Sequence, residues 1–366
     1  MKRALALFLI PLSFACSERA TENWESFEVS IDTVFVDAGD ELIFHQIGLS
    51  HSDLSNDQKQ LFNFTPKGEL EVIDLDSLKL VNKIVMEREG PLGTGEPYTI
   101  QIDQTGSLAL LGFNEVRVFN SDLSSMNRYQ LSAETLSKLN PEDILSYNTI
   151  LSSDGKFLYS IYENTERIPQ GLARISFDQM QVEKIPIELA GRIQPFIYSL
   201  FLDGVLRSRG HEGVYLELMD QKLIVSTPYV NEAYVLDLES DSVTVKTFHS
   251  ELTPDKKPIP TRTSAETINE FSNLIKEGEK SVKFGGFYFD KTHRRLWRFS
   301  RDIDREIGDS LVFKNVLTVF DENLNQLAES VVSVDPFSKK FFKDGKLWSY
   351  VNVEDELGFV VVDFKF

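Results

Sequence analysis

Residues 213–248 decide the fold: GVYLELMDQKLIVSTPYVNEAYVLDLESDSVTVKTF. The segment contains four short apolar runs, rich in Val, Leu, Ile and Tyr, which are separated by polar turns. Runs of this length and composition, bounded by Asp, Ser and Asn, predict a four-stranded antiparallel meander. A single sheet of this kind cannot cover both of its faces, so it needs similar sheets to pack against.

The same pattern recurs along the chain. Each of six copies has an aspartate in its first turn and an Asp or Asn at the end of its third strand, and in three copies these two positions are 17 residues apart. The turn aspartates are Asp57, Asp103, Asp154, Asp220, Asp290 and Asp344, and the strand ends are Asp74, Asn120, Asp178, Asp237, Asp321 and Asp363. Short polar side chains accept hydrogen bonds from turn amides, so we interpret both sets as structural rather than catalytic.

Repeated four-stranded units predict an all-β fold, a six-bladed β-propeller with short helical insertions. The blades are expected at 47–86, 98–131, 147–189, 213–248, 284–332 and 335–366. The last copy lacks a fourth strand. We expect the alternating segment 27–33 to supply that strand, because an N-terminal strand in this place would close the ring and cover its open edge.

Two stretches between blades predict helices. The sequence from Thr263 to Glu266 has the pattern of a capping box, and it precedes the apolar positions Ile268, Phe271 and Leu274, so a helix is expected at about 264–277. A shorter helix is expected at about 133–139, ahead of Asn140-Pro141.

The N-terminus has the features of a bacterial export signal. A basic start, Lys2-Arg3, is followed by a short apolar run that ends at Ala15-Cys16, and Cys16 is the one cysteine of the chain. The run is too short for a membrane span, and a small residue before a lone cysteine predicts cleavage and lipidation at Cys16. We therefore divide the chain into a lipoprotein signal peptide (1–15), a lipidated cysteine with a polar tether (16–26) and the propeller (27–366).

Composition limits the partners. The formal charge is −19 at pH 7, and removal of residues 1–15 takes away Lys2 and Arg3 and no acid, which leaves −21. A surface this acidic disfavours nucleic acid, because phosphate binding depends on Lys and Arg. A lone cysteine permits neither an internal disulfide nor a cysteine-based metal site.

Insertions gather on one face of the predicted propeller. The first-to-second and third-to-fourth strand turns are all short. The long segments fall in the second-to-third turns and the connections between blades, and they include an expected loop at 190–212 between the third and fourth blades and an expected inserted loop at 301–309 in the fifth. On repeat scaffolds, insertions concentrate on the binding face. The candidate ligand-binding residues there are Arg167, Arg192, Arg207, Arg209, His211, Arg301 and Arg305. Guanidinium groups would hold an anionic or carboxylate-bearing ligand. The competing interpretation is that these arginines pair with the surplus of acidic residues.

The sequence contains no motif that predicts catalysis, a metal site or a cofactor site. Glu89-Gly90-Pro91-Leu92-Gly93 is glycine-rich but is not followed by the Lys-Ser/Thr of a phosphate-binding loop, so it predicts a turn. Asp302 and Asp304 alternate as in a calcium loop, but Arg305 places positive charge among the ligands. The five histidines are scattered. With 57 acidic residues, no carboxylate pair stands out, although a pair at the funnel of the propeller remains a possible hydrolase site.

With the blades placed, the chain resembles a family of uncharacterised Bacteroidetes lipoproteins, a domain of unknown function with a six-bladed, TolB-like propeller. The matching features are Ala15-Cys16, the run from Leu75 to Leu80, the turn from Glu89 to Gly93 and the turn from Ser153 to Leu158. The resemblance covers nearly the whole mature chain and implies a lipid-anchored protein of the cell envelope, at the outer membrane. It implies no activity, cofactor or catalytic residues.

The favoured function is therefore a non-enzymatic propeller, anchored to the membrane at Cys16, that binds a protein, peptide or glycan on its elaborated face without a cofactor. The alternative is a polysaccharide-acting hydrolase or lyase that uses carboxylates at the funnel of the propeller. The side of the outer membrane is left open.

Overall fold

The computed structural model describes residues 27–308 and 310–365 of the chain. The predicted signal peptide, Cys16 and the tether lie outside the described residues. Four-stranded antiparallel sheets make up most of the structure, and they are numbered S1 to S6 in the order of their first strands, except that the N-terminal strand belongs to S6.

The first three sheets follow the predicted repeats closely. S1 contains β2 (Ser52–Leu54), β3 (Gln60–Phe64), β4 (Glu69–Asp74) and β5 (Lys79–Val85). S2 contains β6 (Thr99–Ile102), β7 (Leu108–Leu111), β8 (Glu115–Phe119) and β9 (Met126–Gln130). S3 contains β10 (Ile144–Leu151), β11 (Phe157–Glu163), β12 (Pro169–Ser176) and β13 (Gln181–Ile185).

The other three follow in the same way. S4 contains β16 (Tyr215–Met219), β17 (Lys222–Ser226), β18 (Glu232–Asp237) and β19 (Val243–Thr247). S5 contains β21 (Lys283–Asp290), β22 (Arg295–Ile307), β23 (Ser310–Phe320) and β24 (Gln326–Val332). S6 contains β25 (Lys340–Lys343), β26 (Lys346–Val353), β27 (Glu356–Lys365) and β1 (Glu28–Phe35).

The N-terminal strand completes the sheet at the other end of the chain, as the alternating pattern predicts. β1 pairs antiparallel with β27, from Glu28 opposite Lys365 to Phe35 opposite Gly358. Phe27, next to this strand, packs its ring edge-on against Trp297 of S5. The pairing covers the edge of β27, which would otherwise be open to another chain.

The core lies between the sheets rather than at one centre. A buried apolar cluster joins each sheet to the next, and another joins S6 to S1. Representative members are Leu70 and Leu110 between S1 and S2, Val116 and Ile175 between S2 and S3, Leu172 and Leu223 between S3 and S4, Ile224 and Leu296 between S4 and S5, Leu317 and Leu347 between S5 and S6, and Phe359 and Leu61 between S6 and S1. Each sheet therefore has both faces covered, as the repeat pattern requires.

The turn aspartates have the structural role predicted for them, in two forms. The Asp103 carboxylate accepts the Thr105 and Ser107 backbone N–H groups at 2.8 and 2.9 Å, and other turn aspartates act in the same way. Asp220 and Asp344 instead adopt positive φ angles of 50° and 51° in the tight turns of S4 and S6. Asp tolerates this left-handed conformation better than most residues do.

Part of the connection between S3 and S4 is regular, contrary to the expectation of a loop at 190–212. A one-turn helix, α1 (Ala190–Ile193), and a 3-10 turn lead into β14 (Tyr198–Leu202) and β15 (Val205–Gly210). These two strands form a hairpin, and β14 also pairs in parallel with β20 (Ser264–Ala265) from the connection between S4 and S5. The two long connections thus meet in a three-stranded sheet, a contact between remote segments that local periodicity cannot reveal.

The helix predictions are partly wrong. The helix between S4 and S5, α2, runs from Ile268 to Glu279, and Thr267 rather than Thr263 is its N-cap, with the Thr267 side chain accepting the Glu270 N–H. No helix forms at 133–139, where hydrogen-bonded turns, such as Leu136 N–H to Ser132 O at 2.8 Å, replace it. Segment 301–309 was expected to be an inserted loop. Arg301 to Ile307 instead belong to β22, in a long hairpin with β23.

Candidate functional site

The two faces of the molecule differ strongly. The short-turn face carries the turns between first and second and between third and fourth strands. The inserted face carries the second-to-third turns and the connections between sheets, including α1, the β14–β15 hairpin, β20 and α2. A cavity of about 280 Å³ lies between the hairpin and α2, lined by Tyr198, His211, Phe271 and Ile275, among others.

The helix on the inserted face, α2, lies on the surface of the molecule. α2 has no buried residue, and the exposed fractions of Ile268 and Ile275 are 66% and 39%. The hairpin is exposed as well, with Val205 at 50% and Leu206 at 42%. Exposed apolar side chains on a surface built from inserted segments are typical of an interaction site.

Two of the predicted arginines and the histidine meet at the side of the hairpin. Arg209 on β15 contacts the carboxylate of Glu166 at 3.3 Å, and Arg167 in the neighbouring turn contacts that of Glu163 at 3.5 Å. Burial raises the pKa of Glu163, although the positive charges of His211 and Arg167 oppose the shift. The structure therefore places Arg167, Arg209 and His211 around two acidic side chains.

The next two arginines differ from each other. Arg192 follows the start of α1 and contacts Glu232 at 2.6 Å, and the Glu232 side chain is only 3% exposed. Arg192 therefore neutralises a buried carboxylate. Arg207 sits at a register shift between β14 and β15, which makes it a β-bulge, and its side chain is exposed with no ion pair in the described part of the chain.

The last two arginines lie on β22 rather than in a loop. Arg305 pairs with its neighbour Asp304 at 2.6 Å at the exposed end of the hairpin. Arg301 has no acidic partner among the described residues. Its guanidinium group lies over the rings of Phe313 and Phe337, 4.6 and 5.0 Å from their centres. The seven candidates thus do not converge on one point, and five of them contact acidic side chains or aromatic rings of the protein itself.

A second candidate site is a space of about 1150 Å³, called the channel below, which is lined by residues of the first strands of the sheets. Its wall includes Asp53 of S1, Gln101 of S2, Glu217 of S4, Tyr288 of S5 and the segment from Asp335 to Phe341 that leads into S6. None of these residues is among the candidates predicted from the sequence.

Polar side chains in the channel join adjacent first strands. Asp53 accepts the Ile102 N–H of the next sheet at 2.7 Å, the Gln101 side-chain oxygen accepts the Leu151 N–H at 2.6 Å, and Glu217 accepts the Phe289 N–H at 3.0 Å. Lys339 donates to the Ser52 carbonyl at 2.7 Å. These bonds satisfy backbone groups on strand edges that have no further strand to pair with.

The depth of the channel shifts the ionisation of these groups. Burial raises the pKa of Glu217 to about 8 and raises that of Asp53, while the positive charges of Lys291 and Lys339 work in the opposite direction. Burial lowers the pKa of Lys339, although Asp53 and Glu217 favour its charged form. The Asp53 and Glu217 side chains remain partly exposed, because the channel is wide enough to admit water.

A buried arginine joins S4 and S5 outside the channel. The Arg298 side chain donates to the carbonyls of Gly285 and Thr227 and to the Asn231 side chain, at 2.9, 3.1 and 3.1 Å. Burial lowers its pKa to about 9. Its guanidinium group also lies 5.0 Å from the ring centres of Phe284 and Phe287. Each of these contacts is internal, so Arg298 stabilises the fold.

The channel residues carried a weak signal in the sequence. Glu217 is a single charge inside an otherwise apolar first strand, at Leu216-Glu217-Leu218. A charge at such a position indicates an inward-facing polar site once the first strand is known to line an axis. The repeat pattern identifies those strands, so a comparison of their charged positions would indicate the site from the sequence.

The described ranges 27–308 and 310–365 lack two features, a metal-binding cluster and a membrane-spanning helix. No group of three or more His, Cys, Asp or Glu side chains there is arranged to hold a metal ion. Within the same ranges, no helix has the length and apolarity to cross a membrane.

The comparisons with known proteins concern family and fold. A family model described as a domain of unknown function (DUF4221) matches residues 25–331. A comparison with curated proteins gives no match. A solved structure of a DUF4221 family member from Bacteroides vulgatus is similar to this chain with a TM-score of 0.66 at 11% identity, covering 92% of this chain and 99% of its own.

Two further solved structures show a weaker likeness. U3-55K has a TM-score of 0.46 at 8% identity and covers 90% of this chain and 98% of its own. The β-propeller domain of Cps50 (Swd1) from Myceliophteria thermophila has a TM-score of 0.42 at 10% identity and covers 85% of this chain and 82% of its own. The stronger match shows a shared fold, and the sheets of this chain form an all-β, propeller-like arrangement.

Proposed function

The chain belongs to the DUF4221 family, a domain of unknown function, and from this premise we propose that it is a non-enzymatic binding protein of the cell envelope. In this proposal a six-bladed propeller is anchored at the outer membrane by a lipid on Cys16. Its inserted face captures a protein, peptide or glycan.

The blade count is supported by the pattern of buried clusters. Each sheet from S1 to S6 shares an apolar cluster with the next, and the cluster of Leu61, Ile73, Phe341 and Phe359 joins the last sheet to the first. A ring of sheets that leaves no sheet face open is the arrangement that a propeller requires.

The observation that carries the binding function is the concentration of inserted structure on one face. The β14–β15 hairpin, β20 and α2 all come from connections on that face, and they expose Val205, Leu206, Ile268 and Ile275. Exposed apolar groups beside Arg207 and Arg209 suit a partner that combines apolar and acidic groups.

Binding without catalysis is supported by the way the channel carboxylates are used. Asp53 and Glu217 each accept a backbone N–H from the neighbouring first strand, which gives both groups a role in holding the sheets together. A glycoside hydrolase needs a carboxylate pair that is free to act on substrate. For this reason we favour the binding protein over the hydrolase or lyase alternative.

The binding face can be tested by photo-crosslinking in intact cells. A photoreactive amino acid placed at position 207 on the inserted face is compared with one placed at position 294 on the short-turn face, where Arg294 contacts Asp220 and Glu322. We expect a crosslinked partner from position 207 and none from position 294. The same partner from both positions, or none from position 207, would contradict the proposal.

The role of the arginines needs its own variants. Arg207→Ala with Arg209→Ala should reduce partner capture at least fivefold and leave the melting temperature within about 2 °C, since exposed ion pairs contribute little. Arg192 is omitted because its removal would leave the buried Glu232 carboxylate without its partner. Undiminished capture by the double variant would exclude the arginines as ligand-binding residues.

The lipid anchor is tested separately. Cys16→Ala should move the protein from the membrane fraction to the soluble fraction, because no other anchor is proposed. Unchanged retention in the membrane fraction after a carbonate wash would contradict lipidation at Cys16.

A further inference from the structure

Lys340 is a buried lysine without an acidic partner. The residue is 4% exposed, and its ammonium group donates to the Ser338 carbonyl at 3.0 Å and to the Ser338 hydroxyl at 3.2 Å. It forms no ion pair with any described Asp or Glu. The nitrogen also lies 4.8 Å from the ring centre of Phe299. A lysine ammonium has three N–H groups, so one remains without a strong acceptor.

Such an arrangement is unusual for a fully charged side chain. Burial of an ammonium group without a counter-ion has a large unfavourable desolvation free energy, and proteins offset it by pairing the charge or by neutralising the group. Burial lowers the pKa of Lys340 to about 7, and the negative charge of Asp335 opposes this shift only in part. Asp335 does not contact the ammonium directly, and its carboxylate accepts the Phe337 N–H at 2.8 Å.

Lys340 is itself part of the channel wall, although only 4% of the residue is exposed. Ser338, Tyr288 and Phe337 line the same wall of the 1150 Å³ space, so a molecule bound there would lie beside Lys340. The rings of Phe337 and Tyr288 offer an apolar surface beside it. The channel therefore provides the counter-ion position that the protein itself leaves empty.

The approach to Lys340 is positively charged. On the inserted face, Lys283 and Arg301 lie over the ring of Phe337, 4.6 and 5.0 Å from its centre. Lys283 is also paired with Glu212, whereas Arg301 has no acidic partner among the described residues. Arg301 beside Phe337 and Lys340 in the wall both lack an acidic partner among the described residues, and two such positive charges favour an anion on this side of the channel.

The other end of the channel wall has a different character. There Lys339 lies near Asp53 and Glu217, which favour its charged form, although burial lowers its pKa. An anion entering the channel would be repelled by Asp53 when that group is ionised. The Lys340 side of the channel is thus the side that suits an anionic group.

We propose that the channel binds a small organic carboxylate, with the carboxylate group at the Lys340 ammonium, its apolar body against Phe337 and Tyr288, and Arg301 at the entrance. This goes beyond the capture of a partner on the inserted face and does not depend on it. A carboxylate suits the site because it accepts charge-assisted hydrogen bonds from an ammonium group, and because the aromatic rings favour an organic rather than an inorganic anion.

The site implies a pH dependence of binding. A bound carboxylate stabilises the charged form of Lys340, so affinity should be nearly constant below about pH 7 and decline above it, by up to tenfold per pH unit. The charged and titratable groups that face Lys340 or its approach are Asp335, Tyr288, Lys339, Lys283 and Arg301. Burial raises the pKa of Tyr288 and lowers that of Lys339.

Benzoate and its uncharged analogue benzamide provide a matched pair of probes. Titration calorimetry of the mature protein at pH 6.5 should detect benzoate and give at least tenfold weaker binding for benzamide. Lys340→Met, which keeps the length and apolar stem of the side chain, should weaken benzoate binding at least tenfold. Lys67→Met removes an exposed lysine and should leave the affinity unchanged.

Two further measurements keep the test decisive. Lys340→Met should melt at the same or a higher temperature than the parent protein, because it removes an unpaired buried charge. If that variant fails to fold, Arg301→Gln replaces it and should weaken benzoate binding at least threefold. Equal binding of benzoate and benzamide, no binding of benzoate, or full binding by the folded Lys340→Met variant would overturn the proposal. Crosslinking at position 207 in Lys340→Met should be unchanged, which separates this site from the proposed function.

Discussion

Single polar side chains in the channel accept hydrogen bonds from backbone N–H groups that, in a flat sheet, would pair with another strand. The first strand of each sheet has an inner edge with no strand beyond it, and Asp53, Gln101 and Glu217 each accept an N–H from the neighbouring first strand. Apolar residues at these positions would leave buried N–H groups without acceptors. The carboxylates in the channel therefore have a structural role as acceptors of backbone N–H groups. Lys340 makes no such contact between adjacent first strands.

Glu217 allows a prediction about stability and pH. Its pKa is raised to about 8 in the folded protein by burial, against about 4.3 in an unfolded chain, so the folded state holds an additional proton between these values. The contribution of Glu217 to stability is therefore present at low pH and lost as the pH rises toward 8, at up to about 1.4 kcal/mol per pH unit. Glu217→Gln resembles the protonated form and should remove this slope.

The measurement is urea denaturation of the parent protein and Glu217→Gln at pH 6, 7, 8 and 9. We expect the free energy of unfolding of the parent to fall relative to that of the variant as the pH increases. Glu251→Gln, at an exposed position, serves as a control that should follow the parent curve. Parallel curves for the parent and Glu217→Gln would show that the pKa of Glu217 is not raised.

At the residue level, the sequence predicts turn chemistry well and ion pairing poorly. Asp103 and Asp237 accept turn amides, as their place after an apolar run indicates. Pairs such as Arg192 with Glu232, 40 residues apart, depend on how distant segments meet, and no local pattern encodes that distance. The untested roles of the arginines as ligand-binding residues therefore stay predictions.

Among the elements, α2 shows how a capping signal can be misplaced by one turn. The sequence contains two Thr-x-x-Glu patterns in succession, Thr263 to Glu266 and Thr267 to Glu270, and both satisfy the rule for a capping box. Ser264 and Ala265 pair with β14, which removes the first pattern from the helix. The Thr267 side chain then accepts the Glu270 N–H at 3.2 Å, and Glu270 accepts the Glu266 N–H at 3.0 Å.

The two threonines provide a matched test. Thr267→Ala should weaken α2 by about 1 kcal/mol, because it leaves helix N–H groups without their acceptor. Since α2 contributes no buried residue, the loss should appear as faster amide hydrogen exchange in residues 270–279, with little change in global unfolding. Thr263→Ala should leave exchange in α2 unchanged. A larger effect from Thr263→Ala would place the cap at the position first predicted.

Regular strands were predictable here because each repeat carries its own period-2 pattern and turn residues. The insertions were not, because the β14–β15 hairpin is stabilised by β20, which follows more than fifty residues later in the chain. Segment 133–139 has a helical composition, but Ser137 instead pairs with Gln181 in an isolated bridge, and Leu136 and Leu139 are buried in the cluster between S2 and S3. Tertiary contacts override local propensity at both places.

For the molecule as a whole, closure depends on the joining of the two ends of the chain. Removal of residues 1–35 would leave the edge of β27 that pairs with β1 open, while β26 still covers the other edge. It would also remove Phe27 from the cluster with Trp297 and Leu317. We expect this truncation to cause self-association and a loss of several kcal/mol of stability, because an exposed edge strand pairs with other chains. A matched truncation of residues 1–26 keeps β1 and should behave as the intact domain.

Light scattering and urea denaturation of the two truncated proteins distinguish these outcomes. The protein that begins at residue 27 should remain at a constant mass and unfold in one transition. A protein beginning at residue 36 that is equally stable and equally monomeric would show that β1 is dispensable for closure.

The direction of β1 also determines which face of the molecule is nearer to the proposed lipid anchor. β27 runs from the inserted face, at Glu356, to the short-turn face, at Lys365, and Glu28 pairs with Lys365, so β1 enters from the short-turn face. If Cys16 carries the proposed lipid, Phe27 is eleven positions along the chain from the anchor, a distance of at most about 40 Å. The short-turn face would then point toward the bilayer, and the hairpin, α2 and the mouth beside Arg301 would point outward, where a molecule diffusing along the envelope meets them first.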